Sequence, residues 1–276
     1  MKIIADSSCL YTPQEASIKN VEIIPVEVII NNQAYKDYLE ISSDELLNKL
    51  NEGFVPTTSQ PNVGEILDTI NNTNEEIIFM SVGDGLSGTY NSINMAKSMS
   101  EDPNKVHIID TKTLAGAYHY LVDKAVKLKE EGLGIEKIIQ KLQDSIEHSF
   151  SCVIPSDFGF LKRCGRLTPV AANLMGLIKI VPVLTLSEDR KKIEVFGVNR
   201  TVKKAIDNII KHLNDMGVNE DYIISICHVG VFEKAQEILN IIKSKINDAT
   251  YEIKELSPSL MLHGGPGCIL IHAVKK

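Results

Sequence analysis

The chain reads as a two-domain α/β protein. A mainly parallel sheet flanked by helices is expected over residues 1–150, and an α+β domain with a largely antiparallel sheet over residues 151–276. Three observations predict this. Short Val- and Ile-rich runs alternate with helix-periodic segments up to about residue 150. Beyond that point two extended runs flank Ser187-Glu188-Asp189 in the manner of a hairpin. Between a strand and a helix, residues 80–92 (MSVGDGLSGTYNS) place Gly83, Gly85 and Gly88 among the hydroxyls of Ser87, Thr89, Tyr90 and Ser92. Such a turn offers free backbone N–H groups and the positive end of a helix to an anion.

Residues 2–5 form a strand that delivers Asp6, Ser7 and Ser8 at its carboxyl end, where open α/β sheets hold ligands. Residues 21–30, rich in Val and Ile around Pro25, read as one extended or edge segment. Ser42 or Ser43 caps a helix that runs to Leu50 and stops at Gly53. Pro56 and Pro61 pin a polar loop before a helix over 63–70, with Thr58 or Ser59 as its cap; hydroxyls are ordinary in such connectors. Residues 75–82 are a buried strand, 90–99 a helix, and 106–109 a strand that ends at Asp110. Helices follow over 114–129 and 135–146, separated by Gly132 and Gly134. In the second half, strands are expected over 150–154, 178–186, 192–198, 222–228, 250–256 and 268–274. Helices are expected over 168–177, 201–216 and 232–246, and a loop over 257–267.

Composition narrows the function. At 276 residues, with 43% hydrophobic and 24% charged content, this is a soluble globular chain. A net charge of −7 argues against general nucleic-acid binding. The five cysteines form no C-x-x-C pair, which suits a reducing compartment and gives no zinc site. No signal peptide and no membrane-length apolar run is evident, so a cytoplasmic location is expected. Charge is nonetheless uneven: residues 151–204 hold ten Lys or Arg against four acids. That segment is either a solvated face or a docking surface for an acidic partner, an anionic membrane or a phosphorylated ligand. His107, His119, His148, His212, His228 and His272 lack metal-ligand spacing and read as structural.

Three chemistries fit the central turn. Gly83, Gly85 and Gly88 spell G-x-G-x-x-G, and Asp110 ends the next strand, as in a dinucleotide-binding oxidoreductase. Against this, the motif does not open the fold, and Asp84 would face a pyrophosphate. Alternatively Ser87 is the nucleophile of an acyl hydrolase with His263 downstream, although Thr89 stands where the G-x-S-x-G elbow needs glycine. In the third reading the turn binds a carboxylate, an acceptor-only group that neutral hydroxyl, imidazole and backbone donors can hold without reacting.

The segments ADSS (5–8), TTSQP (57–61), GLSGTYNS (85–92), FLKRCGRL (160–167), VNRTVKKA (198–205) and HGGPG (263–267) resemble, in order, the signature segments of the DegV family. These are bacterial fatty-acid-binding proteins, some of which serve as the lipid-carrying subunit of a fatty acid kinase system. The resemblance covers nearly the whole chain. It implies a non-enzymatic carrier with no cofactor, a long-chain fatty acid as bound ligand, and a separate fatty acid kinase as partner. It further implies an acyl chain buried between two α/β domains, its carboxylate at their junction held by Thr58, Ser87 and His263. Asp6, Ser59 and Gly88 are expected to support these donors, and Arg200, Arg166 and Lys162 to dock the partner. The small and flexible residues of the 168–177 helix (Ala171, Ala172, Met175, Gly176) either line the acyl tunnel or pack in a core. Ala5, Cys164 and Leu262 depart from the family pattern, and none removes a proposed donor.

Overall fold

The computed structural model describes residues 1–173 and 180–276. Strand β1 (Lys2–Asp6) passes through a 3-10 turn (Ser7–Cys9) into α1 (Pro13–Lys19), and β2 (Val21–Ile24) returns parallel to β1. Helix α1 falls where no element was expected; Thr12 and Glu15 close a reciprocal capping box and Pro13 sits at its first position.

The single extended run expected over 21–30 is two strands in two sheets. Pro25 has no N–H to continue the ladder, and the Val26 N–H donates instead to Ser7 Oγ at 3.0 Å. Beyond this break β3 (Glu27–Ile30) pairs antiparallel with β4 (Gln33–Lys36) across Asn31 and Asn32. Both asparagines have positive φ, the backbone of a tight hairpin. After α2 (Ser43–Asn51), the expected polar loop proves to be β5 (Thr57–Ser59), which pairs with β3 and places Thr58 opposite Val28.

Next come α3 (Val63–Asn71), β6 (Ile77–Ser81), α4 (Thr89–Met99), β7 (Val106–Asp110), α5 (Ala115–Glu130) and α6 (Ile135–Glu147). The first sheet has the order β2-β1-β6-β7, all parallel, and every residue of β6 is buried. Helices α3 and α4 cover one face around Ile4, Phe79 and Ile93, while α5 and α6 cover the other around Ile3, Ile78 and Leu121. The strand order turns back between β1 and β6, which makes their carboxyl ends a ligand crevice.

The chain changes sheet at β8 (Ser149–Ile154), followed by α7 (Phe158–Arg163) and α8 (Pro169–Ala172). The remainder of the helix expected over 168–177, with Met175 and Gly176, lies outside the described residues, as do Lys179 and the start of the 178–186 strand. Then come β9 (Val181–Leu186), β10 (Ile193–Asn199), α9 (Val202–Asp215), β11 (Tyr222–His228), α10 (Phe232–Lys243), β12 (Thr250–Glu255), α11 (Pro258–Gly264) and β13 (Ile269–Lys275). The second sheet runs β10-β9-β8-β13-β11-β12, antiparallel at every pairing except β11 with β12. Helices α9 and α10 cover its outer face. Its inner face meets α5 and α6, where Ile223 and Val274 join the core around Tyr118. At Gly116 the approach of α5 to β11 is so close that a Cβ there would lie 2.1 Å from Ser225 Oγ.

Helix α11 replaces the loop expected over 257–267. Ser257 precedes Pro258 at the first helical position, Met261 and Leu262 are buried, and Gly265, at φ +75°, ends the helix. His263 therefore stands in the last turn of a helix whose neighbours are α2, α7 and β3.

Candidate functional site

The site begins with Asp6 at the carboxyl end of β1. Its carboxylate is fully buried and accepts the N–H groups of Ser8 (2.9 Å) and Val82 (2.7 Å). Burial raises its pKa, and those two bonds, with the Tyr118 hydroxyl, offset the cost of the charge. Asp6 is thus a strut that ties the end of β1 to the end of β6.

The turn after β6 is shaped by contacts across the molecule. Gly83 N–H donates to the Thr113 carbonyl (2.8 Å), and Asp110 Oδ1 accepts the N–H groups of Asp84 (3.0 Å) and Lys112 (2.9 Å). Gly85 has φ +87°, and a Cβ there would meet the Lys191 backbone at 2.8 Å. Only glycine serves at that position. Lys191 Nζ also pairs with Asp84 Oδ2 at 2.9 Å. Gly88 matters for a different reason: the Gln60 side chain lies across it, 1.7 Å from where a Cβ would stand.

On this turn Ser87 Oγ lies 2.8 Å from Thr89 Oγ1 and accepts the Thr89 N–H at 3.3 Å. Across from it, Thr58 on β5 and His263 on α11 meet, Oγ1 to Nε2 at 3.2 Å, although 205 positions separate them in the chain. Burial, then the nearby charge of Arg166, pushes the His263 pKa down to about 3, so the ring is neutral at physiological pH.

Arg166 is half-buried, and its Nε donates to the Leu86 carbonyl at 2.9 Å while Nη1 bonds the Cys164 carbonyl. Among the described residues no Asp or Glu lies within ion-pair distance of it, and Nη2 has no hydrogen-bond partner. Thr58, Ser87, His263 and Arg166 all line one cavity of about 110 Å³. A single water needs only about 10–15 Å³, so this is a space for a ligand. Its walls are otherwise mainly apolar, with Val82, Leu86, Leu114, Leu161, Leu184 and Leu270 among them.

The structure thus brings Thr58, Ser87 and His263 to one cavity. Asp6, Gly88 and Ser59 are not on its wall: Asp6 accepts the N–H groups of Ser8 and Val82, which are, Gly88 follows Ser87 in the chain, and Ser59 donates to the Gln60 carbonyl at 3.3 Å. Arg166, expected on a docking face, is part of the cavity wall; Lys162 and Arg200 are exposed. Ser8, expected at the ligand end of β1, also lines the cavity; sequence reasoning missed Ser259, which lines it too. It missed too the fully buried Asp37, which accepts hydrogen bonds from Ser7 Oγ (2.7 Å), Ser259 N (3.1 Å) and Ser259 Oγ (2.5 Å). Ser8 stands within the ADSS segment, but nothing in the sequence around Asp37 marks it.

Two of the three chemistries do not fit this geometry. Asp110 is committed to capping the turn and Gly85 is covered by Lys191, which leaves neither a ribose partner nor space for a pyrophosphate. His263 Nε2 is bonded to Thr58, not Ser87, and Ser87 Oγ is bonded to Thr89, so among the described residues Ser87 has no histidine partner to make it a nucleophile. Neutral donors beside a guanidinium that has no ion-pair partner among the described residues suit the third chemistry, an acceptor-only carboxylate.

The family model that matches carries the description "Uncharacterised protein, DegV family" and covers residues 1–276. The chain belongs to the DegV family. Among curated relatives, the DegV domain-containing protein SA1258 of Staphylococcus aureus is 28% identical over 278 residues, 99% of this chain and 98% of that one. Among solved structures, the fatty acid binding DegV family protein SAG1342 of Streptococcus agalactiae superposes with a TM-score of 0.88 at 26% identity, over 100% of this chain and 98% of that one. A stearic acid-binding protein of Eubacterium ventriosum has the same fold, with a TM-score of 0.89 at 22% identity over 100% and 98%. The DegV fold, with its parallel N-terminal sheet and mostly antiparallel second sheet, is thereby established for this chain.

Proposed function

We propose that this chain binds a long-chain fatty acid, its tail in the apolar cavity and its carboxylate held by Thr58, Ser87, His263 and Arg166. Arg166 carries the reading. A half-buried cation without a counter-ion is costly unless an anion completes its shell, and here it stands on the wall of a mainly apolar cavity. An acid with a long hydrocarbon tail satisfies both features at once. The relatives named above as fatty-acid-binding support the same ligand class.

The tail dominates affinity. At roughly 0.8 kcal/mol per buried methylene, a chain of about fourteen contributes on the order of 11 kcal/mol before the costs of ordering it. Each charge-assisted hydrogen bond adds about 1.5–3 kcal/mol and fixes orientation, tail inward and carboxylate at the hydroxyl loops. A carrier of this kind needs no catalytic base. It presents the acid to a separate kinase, forms no product itself, and acts in the cytoplasm. Exposed Lys162 and Arg200 belong to the face that meets the kinase, with an anionic membrane surface as a transient second contact.

The test is native extraction. Protein purified without added lipid releases a fatty acid on denaturation, which mass spectrometry identifies; release of none from a folded preparation overturns the reading. The double variant Thr58→Ala, Ser87→Ala loses phosphorylation by a fatty acid kinase before it loses lipid. Complete loss of lipid in that variant would reverse the energetic ranking.

A further inference from the structure

The cavity wall holds a second polar cluster that the proposed carboxylate donors do not include. His272, in the middle of β13, is fully buried and lines the cavity with Leu270, two residues earlier on the same face of the strand. Its Nδ1 lies 2.8 Å from Ser151 Oγ on the neighbouring β8, and Ser151 Oγ lies 3.1 Å from the buried Thr113 Oγ1. That chain of bonds holds the imidazole ring in place. The other nitrogen, Nε2, is buried without a hydrogen-bond partner among the described residues. A buried polar atom left unpaired costs about 1–3 kcal/mol, and nothing in the folding of β13 calls for a histidine there. Burial pushes its pKa down to about 3, so the ring is neutral and offers either one donor or one acceptor.

Position says what would meet it. Gly264, next to His263, packs against Cys268. From Cys268 to His272 the strand advances four residues, roughly 13 Å at about 3.3 Å per residue. His263 and His272 thus sit at separate positions on the wall of the one cavity, so with the carboxylate at His263 the His272 ring faces the acyl chain along its length.

We propose that the cavity holds a hydrogen-bonding subsite, formed by His272 oriented by Ser151, for an acyl chain that carries a hydroxyl group along its tail. The proposal rests on fatty acid binding at this same site. A hydroxyl both donates and accepts, so it pairs with Nε2 in either tautomer. An unsubstituted tail leaves that nitrogen unpaired.

The experiment compares octadecanoic acid with a series of hydroxyoctadecanoic acids substituted at successive carbons along the chain, by displacement of a fluorescent fatty acid. One isomer is expected to bind the wild-type protein about tenfold more tightly than octadecanoic acid, the worth of one hydrogen bond to a buried group. His272→Leu is expected to abolish that preference while retaining octadecanoic acid. Ser151→Ala, a smaller change that frees the ring, reduces the preference and serves if the leucine variant does not fold. Binding of octadecanoic acid with no isomer favoured overturns the subsite alone and leaves a buried water as the partner of Nε2. Failure to bind any of these acids overturns the fatty acid reading, and the subsite with it.

Discussion

Arg166 and Asp37 are the two charged side chains whose surroundings make the sharpest predictions. Replacing Arg166 by Met keeps a long apolar stem but removes the only Lys or Arg on the cavity wall among the described residues. Affinity for a fatty acid should fall roughly 10- to 100-fold, the loss of a charge-assisted hydrogen bond. Affinity for the methyl ester of the same acid should be unchanged, and a parallel loss for the ester would remove Arg166 from the carboxylate site. Asp37 is held among Ser7 and Ser259 with its pKa raised to about 6, chiefly by burial. An acid whose folded pKa exceeds its unfolded value stabilises the fold below that unfolded value, and loses the contribution as pH rises through the folded one. The stability advantage of wild type over Asp37→Asn should therefore shrink between pH 5 and pH 7, as read by thermal melts at both values. An advantage that grows with pH would contradict the burial of this carboxyl. Thr58, Ser87 and His263 were legible because motifs carry them. Arg166 was legible as a docking cation of the basic run and not as a cavity residue, since a run of cations does not say which one turns inward. His272 was invisible: in a strand buried on both faces no alternation separates the cavity side from the core side.

Elements were read best where caps and periodicity agreed. The Ser42–Glu45 capping box starts α2, and the apolar spacing of α5, α6 and α9 set their limits to within a residue or two. Reading failed where two signals conflicted. Pro25 split a Val- and Ile-rich run between sheets, and a segment that ends in glycines and a proline hid the helix bearing His263. The close contact of α5 with β11 was also illegible, because a glycine inside a helical pattern does not reveal what it faces. Gly116→Ala would force α5 away from Ser225 and Cys227, two side chains on β11. Overpacking of this kind costs about 1–3 kcal/mol, so the melting temperature should drop by several degrees at unchanged helix content. A variant as stable as wild type would mean that the two elements part easily.

At the scale of the molecule, the alternation of strands and helices followed by a hairpin was enough to predict both sheets, but not how they meet. Helices α5 and α6 are sandwiched between them and share apolar contacts with each. A fragment of residues 1–148 would expose the helical face that Ile223 and Val274 cover. It should bind a hydrophobic dye and aggregate when expressed alone; a soluble, dye-silent fragment would show that the first sheet and its helices stand independently.

Strand β13 follows every other strand in the order of synthesis, yet it lies in the interior of its sheet, between β8 and β11. It also carries His272 and follows directly on the helix that supplies His263. A copy that lacks it has an open seam between β8 and β11 and loses Leu270 and His272 from the cavity wall. The second sheet is therefore continuous only once this interior strand is seated, because β8 and β11 have no pairing with each other to fall back on.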